Sequence, residues 1–212
     1  MDESIMHQEM TKWLNPECIN ILDGSGDTRI KAASFMQCMT DSSLIERVFG
    51  KPSKDTFIIK PISELLKQEV NTEDLWIDPF AGYNSPARVT NDINPGVDTT
   101  YHLDALDFLK LFSDNSVDGV LYDPPYSSYQ AEHSYGLIKT GMFGYAAAGK
   151  HAQLKDEMAR IIKPGGKAIC FGWSTMGLTK SRGFKMNRIL IVRHGGSHND
   201  TLVTVETKMQ KE

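Results

Sequence analysis

A chain of 212 residues that is 40% hydrophobic and 24% charged fits one large soluble domain with room for a small extension. No apolar run approaches the roughly 20 residues of a membrane span. The opening MDESIMHQEM is too acidic for a secretory leader, and the three scattered cysteines, Cys18, Cys38 and Cys170, make no CxxC pair; both point to a reducing, cytoplasmic setting without disulfides or a cysteine zinc site.

The net charge of −4 hides an asymmetry, because residues 150–193 hold ten lysines and arginines against two acids. Such a block reads either as a local phosphate-binding face or as a solvated helix face with strand-flanking lysines.

Residues 1–55 give weak signals and read as an N-terminal extension, partly helical over 29–49 and stopped at Gly50-Lys51-Pro52-Ser53. After Phe57-Ile58-Ile59, a helix is expected over 63–70 with Ser63 as its cap. From residue 74 the pattern alternates. Strands are expected at 75–77, from 87 to about 92, 99–103, 117–122, 168–173, 189–192 and 202–205, and helices at 105–112 and 152–162. Residues 127–150 read as a loop. Short apolar strands alternating with helices predict an α/β fold with a mostly parallel sheet, closed by an antiparallel C-terminal hairpin strand, over 56–212.

In an open parallel sheet, ligands sit beyond the carboxyl ends of the strands. Here those ends read Asp78-Pro79-Phe80-Ala81-Gly82, Asn91-Asp92, Asp104-Ala105 and Asp123-Pro124-Pro125-Tyr126. Four acids would repel one another in an empty cleft, and they make sense around a ligand with a cationic group, hydroxyls and amines. Helix capping accounts well for Asp104 but poorly for Asp123, which two prolines follow.

In motif order the chain resembles the amino-group methyltransferases that use S-adenosylmethionine on N6 of adenine or N4 of cytosine, a Rossmann-like fold. It looks most similar to small phage-type adenine-specific methylases. The resemblance covers about residues 57–205. It implies cofactor contacts from Asp78 to Gly82 and at Asn84, an acid at Asp92 for the ribose hydroxyls, and Asp104-Ala105 against the cofactor's adenine. Lys60-Pro61 belongs to an additional cofactor motif. Asp123, Pro124, Pro125 and Tyr126 form the catalytic tetrapeptide in the Asp form typical of adenine-N6 enzymes. Two departures stand out. Asn84 replaces a second glycine, and only 14 residues separate Asp78 from Asp92, so the first crossover helix must be very short or replaced by a loop.

The implied chemistry is direct methylation of adenine in DNA by a flipped base, with Asp123 and the Pro124 carbonyl accepting the two amine protons and Tyr126 stacking on the ring. RNA or a cytosine amine as target, or a non-catalytic cofactor-binding subunit, are the alternatives. Lys180, Arg182, Lys185 and Arg188 are candidates to grip phosphates, and Tyr129, with Tyr135, Phe143 and Tyr145, to contact flanking bases. Target recognition would come from residues 1–55, the 127–150 loop, a homodimer or a partner protein. No metal site is expected: His194, His198 and Asp200 read as a hairpin loop rather than a ligand set. Trp76 and Trp173 read as core residues.

Overall fold

The computed structural model describes residues 44–125, 148–175, 177–196 and 198–210. Its strands are β1 (Leu44–Phe49), β2 (Trp76–Asp78), β3 (Val89–Thr90), β4 (Val117–Tyr122), β5 (Ile162–Gly172), β6 (Phe184–Arg193) and β7 (Thr201–Lys208). The helices are α1 (Lys60–Glu69), α2 (Ala105–Leu109) and α3 (Ala148–Ile161). One seven-stranded sheet runs in the order β1–β6–β7–β5–β4–β2–β3. Only β7 is antiparallel to its neighbours, and every other pair is parallel.

Alternation along the strands builds two cores. Val120, Tyr122, Ala168 and Cys170 face α2 and α3, where Phe108, Leu109, Leu154, Met158 and Ile161 bury them. Leu121, Ile169, Phe171, Val203 and Val205 face α1, against Ile62, Leu65 and Leu66. The spacing of those three α1 residues puts them on one helical face.

Four local expectations change. Ser63 lies inside α1 rather than capping it, because Pro61, with its preset φ, starts the helix earlier, after Ile59. Residues 44–49, expected in a helical stretch of the extension, form edge strand β1 beside β6. The stretch 99–103 contributes one bridge, Asn91 to Tyr101, instead of a strand. Strand β5, expected over 168–173, begins already at Ile162 and carries Lys163-Pro164-Gly165-Gly166 within it, and the β4–β5 register is irregular there.

Register fixes which edge is which. Asp78 pairs with Thr90, and Tyr122 with Cys170, so β2, β3, β4 and β5 all end at one edge. At that same edge β6 ends beside Phe49, and β7 begins at Thr201. Phe184 and Lys185, paired with Lys208 and Thr207, open β6 at the opposite edge.

Trp76 sits directly beside Gly119 in this register. A Cβ on Gly119 would lie 2.5 Å from the buried indole ring. Gly119→Ala is therefore expected to destabilise the fold by about 1–3 kcal/mol, the usual cost of overpacking. The measurement is the urea midpoint, followed by tryptophan emission. An unchanged midpoint would show that the indole moves freely aside.

Candidate functional site

The carboxyl edge holds an open cavity of about 270 Å³. Its lining combines Phe80, Ala81, Gly82 and Asn84 from the loop after β2, Asp92 after β3, and Asp123, Pro124 and Pro125 after β4. Lys54, Asp55, Thr56 and Phe57 close it from the turn before α1. Tyr126 and Tyr129, together with Tyr135, Phe143 and Tyr145, lie outside the described residues.

The loop after β2 is held from below. Asp78 is fully buried. One of its oxygens accepts from the Phe80 amide at 2.9 Å, the other from the Ser85 hydroxyl at 2.6 Å. It therefore shapes the loop from beneath and does not line the cavity. Burial pushes its pKa up to about 7 against those two hydrogen bonds, and the charges of Asp123 and Asp92 push the same way. Gly82 takes a positive φ of 53° and donates its amide to Asp92 at 3.2 Å. Asp92 also accepts from the Asn94 amide at 2.8 Å. Burial raises its pKa as well, opposed by these two amides.

Asn84, where the resemblance led one to expect glycine, donates to the Asp55 carboxylate at 3.1 Å. That bond ties the loop after β2 to the turn before α1. The short Asp78–Asp92 connection contains no helix, as its length requires.

Asp104 and Ala105 start α2 and lie outside the cavity lining. Asp104 caps the helix by accepting from the Leu106 amide at 2.9 Å, and its other oxygen meets Lys150 of α3 at 2.9 Å. Lys60 and Pro61 also lie outside the lining; the residues just before them, Lys54 to Phe57, line it instead. A single 3-10 turn over Thr56–Ile58 makes that difference. The apolar run at 57–59 was the sequence signal for this segment, but nothing in it marked Lys54 or Asp55.

Asn91 is the residue the sequence reading passed over. It is fully buried. Its amide nitrogen donates to the Pro79 and Leu103 carbonyls at 3.1 and 3.0 Å, and its oxygen accepts from the Leu103 amide at 2.8 Å. Its backbone also pairs with Asp78 and Ala81. Asparagine can satisfy two acceptors and a donor together, and the only sequence sign was its place at a strand end.

Below Asp123, the buried Tyr122 hydroxyl lies 2.7 Å from His151 Nδ1. Burial, then the charge of Lys155, pushes the His151 pKa down, which favours a neutral ring able to accept the phenol proton. Phe80 packs edge-on against Tyr122, with ring centroids 5.9 Å apart.

The basic candidates go elsewhere. Arg188 is held by Glu46 at 2.6 Å, Gln68 at 2.7 Å and Glu69 at 3.4 Å. Arg182 pairs with Asp156 at 2.7 Å. Lys180, Arg182 and Lys185 belong to the β6-opening end of the sheet, away from the cavity. His194 Nδ1 donates to the Gly50 carbonyl at 2.7 Å and its Nε2 meets the Thr201 hydroxyl at 2.8 Å, so both ring nitrogens are engaged inside the fold. His198 is exposed and Asp200 half-buried. Trp76 is in the core as expected, but Trp173, one residue past β5, is 46% exposed.

No protein-family model matches the chain, and no curated protein sequence matches it. Among solved structures, it is similar to the 1,6-didemethyltoxoflavin N1-methyltransferase of Burkholderia thailandensis, with a TM-score of 0.50 and 12% identity over 74% of this chain and 80% of that one. That structure contains 1,6-didemethyltoxoflavin and S-adenosylhomocysteine. TrmN of Thermus thermophilus aligns with a TM-score of 0.47 and 17% identity, over 72% of this chain and 49% of TrmN, so the chain spans about half of that protein's length. The first likeness shows the fold: a Rossmann-like methyltransferase sheet, mostly parallel, with its antiparallel strand at the C-terminus.

The Asp78 carboxyl gives a pH prediction for the chain alone. Its folded pKa of about 7 stands above the 3.8 of a free aspartate, so the native state holds a proton that the unfolded chain releases. Its contribution is favourable below about pH 4 and is lost as the pH rises through 7. The loss is on the order of 4 kcal/mol at 1.36 kcal/mol per unit. Asp78→Asn keeps an acceptor for the Phe80 amide and puts an N–H where the carboxylate accepts from Ser85, whose hydroxyl can turn to accept instead. The variant should gain stability over the wild type between pH 5 and pH 8, read as the change in the difference of urea midpoints. Parallel profiles would refute the assignment.

Proposed function

We propose that this protein transfers the methyl group of S-adenosylmethionine to the exocyclic N6 amine of adenine in DNA. The observation that carries the reading is that Asp123-Pro124-Pro125, Asp92 and the Phe80–Gly82 loop open onto a single cavity.

The donor set suits the cofactor. Carboxylates at Asp55, Asp92 and Asp123 surround the space, the rings of Phe57 and Phe80 give it apolar walls, and Lys54 is the base at its rim. Such a lining favours a ligand with positive charge and hydroxyls. When bound, S-adenosylmethionine supplies a methyl group on a cationic sulfur, open to direct attack.

Asp92 has two oxygens fixed by backbone amides, which orients its remaining lone pairs for ribose hydroxyls. The amine of adenine is a weak nucleophile because its lone pair is shared with the ring. Asp123 and the Pro124 carbonyl are two acceptors on consecutive residues, and holding both amine protons frees the lone pair. Pro124 is buried, and Pro125 has no N–H and a fixed φ, so the carbonyl between them is stiffly placed. Positioning and electrostatics supply the rate without a covalent enzyme intermediate. By resemblance, Tyr126 stacks on the base. In a duplex, the base must first leave the stack, at about a few kcal/mol.

Labelled S-adenosylmethionine incubated with unmethylated DNA, with RNA and without substrate, followed by nucleoside analysis, tests this. Label in N6-methyladenine of DNA is expected. Label in RNA or in methylcytosine would redirect the assignment, and cofactor binding without transfer to any substrate would overturn it. Asp123→Ala should bind the cofactor as the wild type does and lose about 10²–10³ in transfer rate, the usual effect of removing one preorganised polar contact.

A further inference from the structure

The cavity raises a problem for a polyanionic substrate. Asp55, Asp92 and Asp123 line it, with Asp78 just beneath, and these acids repel phosphates. A nucleic acid that presents a base here must have its backbone held by cations just outside. The basic residues 180–188 do not supply them, being ion-paired or at the far edge.

Cations do stand at the carboxyl edge itself. Lys51 follows β1 and Arg193 ends β6, and the Gly50 amide donates to the Arg193 carbonyl at 3.0 Å, so the two segments are locked side by side. Lys51, Arg193 and Arg47 are all exposed. Among the described residues none of them makes an ion pair or a side-chain hydrogen bond. Their side chains are therefore available, unlike most of the bases in the 150–193 block. Phe49 lies between Arg47 and Lys51 on the same edge strand, 63% exposed. Lys54, at the cavity rim, is three residues from Lys51, a reach of at most about 11 Å, or some three nucleotide steps at 3.4 Å of rise. The acids along this stretch are few: Asp55 is engaged by Asn84, Glu46 by Arg188, and Asp200 is half-buried.

We propose that Lys51 and Arg193, with Phe49 beside them, form the track that holds a nucleic-acid backbone as it leaves the cavity toward the β1–β6 corner. The proposal rests on the reaction proposed above and assigns the backbone contacts that reaction needs. Exposed bases on such a track bind phosphates, and an exposed ring offers a stacking face to an unpaired base.

The test is the double variant Lys51→Gln/Arg193→Gln, with Lys180→Gln/Lys185→Gln as the control at the opposite edge. Affinities for a DNA duplex, single-stranded DNA and RNA are measured across a salt series, with the S-adenosylmethionine dissociation constant and the thermal midpoint alongside. The track variant should bind nucleic acid several-fold more weakly, with a log–log salt slope shallower by about 1–2. Its cofactor affinity and midpoint should match the wild type, and the control should bind as the wild type does. Wild-type affinity and slope in the track variant, or an equal loss in the control, would overturn the track. The same preparations assayed for methyl transfer separate the two ideas. Wild-type transfer to DNA with a track variant that binds normally refutes the track alone. Binding that depends on Lys51 and Arg193 without any transfer supports the track and refutes the reaction. A wild-type protein that binds none of the three nucleic acids refutes the track whatever the reaction.

Discussion

The side chain of Asn91 is the contact on which the site depends. The loop after β2 and the segment after β3 have no helix between them to set their spacing, and one buried carboxamide does it instead. It joins the Pro79 carbonyl to both polar groups of Leu103, while the Asn91 backbone holds Asp78 on one side and Ala81 on the other. Leaving such groups unpaired in the interior costs about 1–3 kcal/mol each. The fold therefore has one low-energy way to arrange Asp78, Phe80–Gly82 and Asp92. An aspartate would lose the two donated bonds, and a leucine all three.

Around that staple, four carboxylates are kept compact by four different means. Asp78 is buried and titrates near neutrality, so part of its charge is suppressed by lack of solvent. Asp92 keeps its place through two backbone amides. Asp104 is shared between a helix start and Lys150. Asp123 is half-buried in the cavity wall. A row of acids at one sheet edge thus becomes a graded set, from structural at Asp78 to accessible at Asp123. A positively charged ligand would relieve the repulsion that remains, which links the stability of the edge to its occupancy.

Much of this architecture was legible in the sequence because the strands are short, apolar and bounded by turn residues. Leu121 and Val120 announce opposite faces by alternation alone, and Asp123-Pro124-Pro125 marks the end of the apolar run at 117–122. What could not be read depends on partners distant in sequence. Residues 99–103 have the composition of a strand, yet Tyr101 bridges only to Asn91, because the carboxamide contacts of Asn91 already fix Leu103. Trp173 looked like a core aromatic, but it lies just beyond the last paired residue of β5. Residues 44–49 were hidden because their apolar pairs, Leu44-Ile45 and Val48-Phe49, fall four residues apart as on a helix, and Ile45 and Phe49 stay exposed on the strand. The cavity role of Lys54 to Phe57 follows from a single tight turn ahead of Pro61, which no local pattern announces.

The basic block at 150–193 shows why charge density along a chain is a poor guide to a binding face. Its members are spread over α3, β5, the turn at Lys180–Arg182 and β6, and the sheet carries several of them to acids from earlier segments. Lys163 meets Asp118, Lys167 meets Glu69, Arg160 meets Asp114 and Arg188 meets Glu46. The acidic first part of the chain and the basic later part are thus two halves of one set of ion pairs. Each exposed pair is worth about 0–1 kcal/mol, so stability gains little from any one of them. Their larger effect is on the outward field: a paired base offers little to a phosphate. Bases left without acids therefore matter more than bases that are numerous. Lys51 comes from a segment that does not register in a composition profile, Arg193 closes the basic block without an acid of its own, and they meet only because β1 and β6 pair in parallel to the same end. A binding face in this fold is set by what the sheet leaves unmatched at its carboxyl edge.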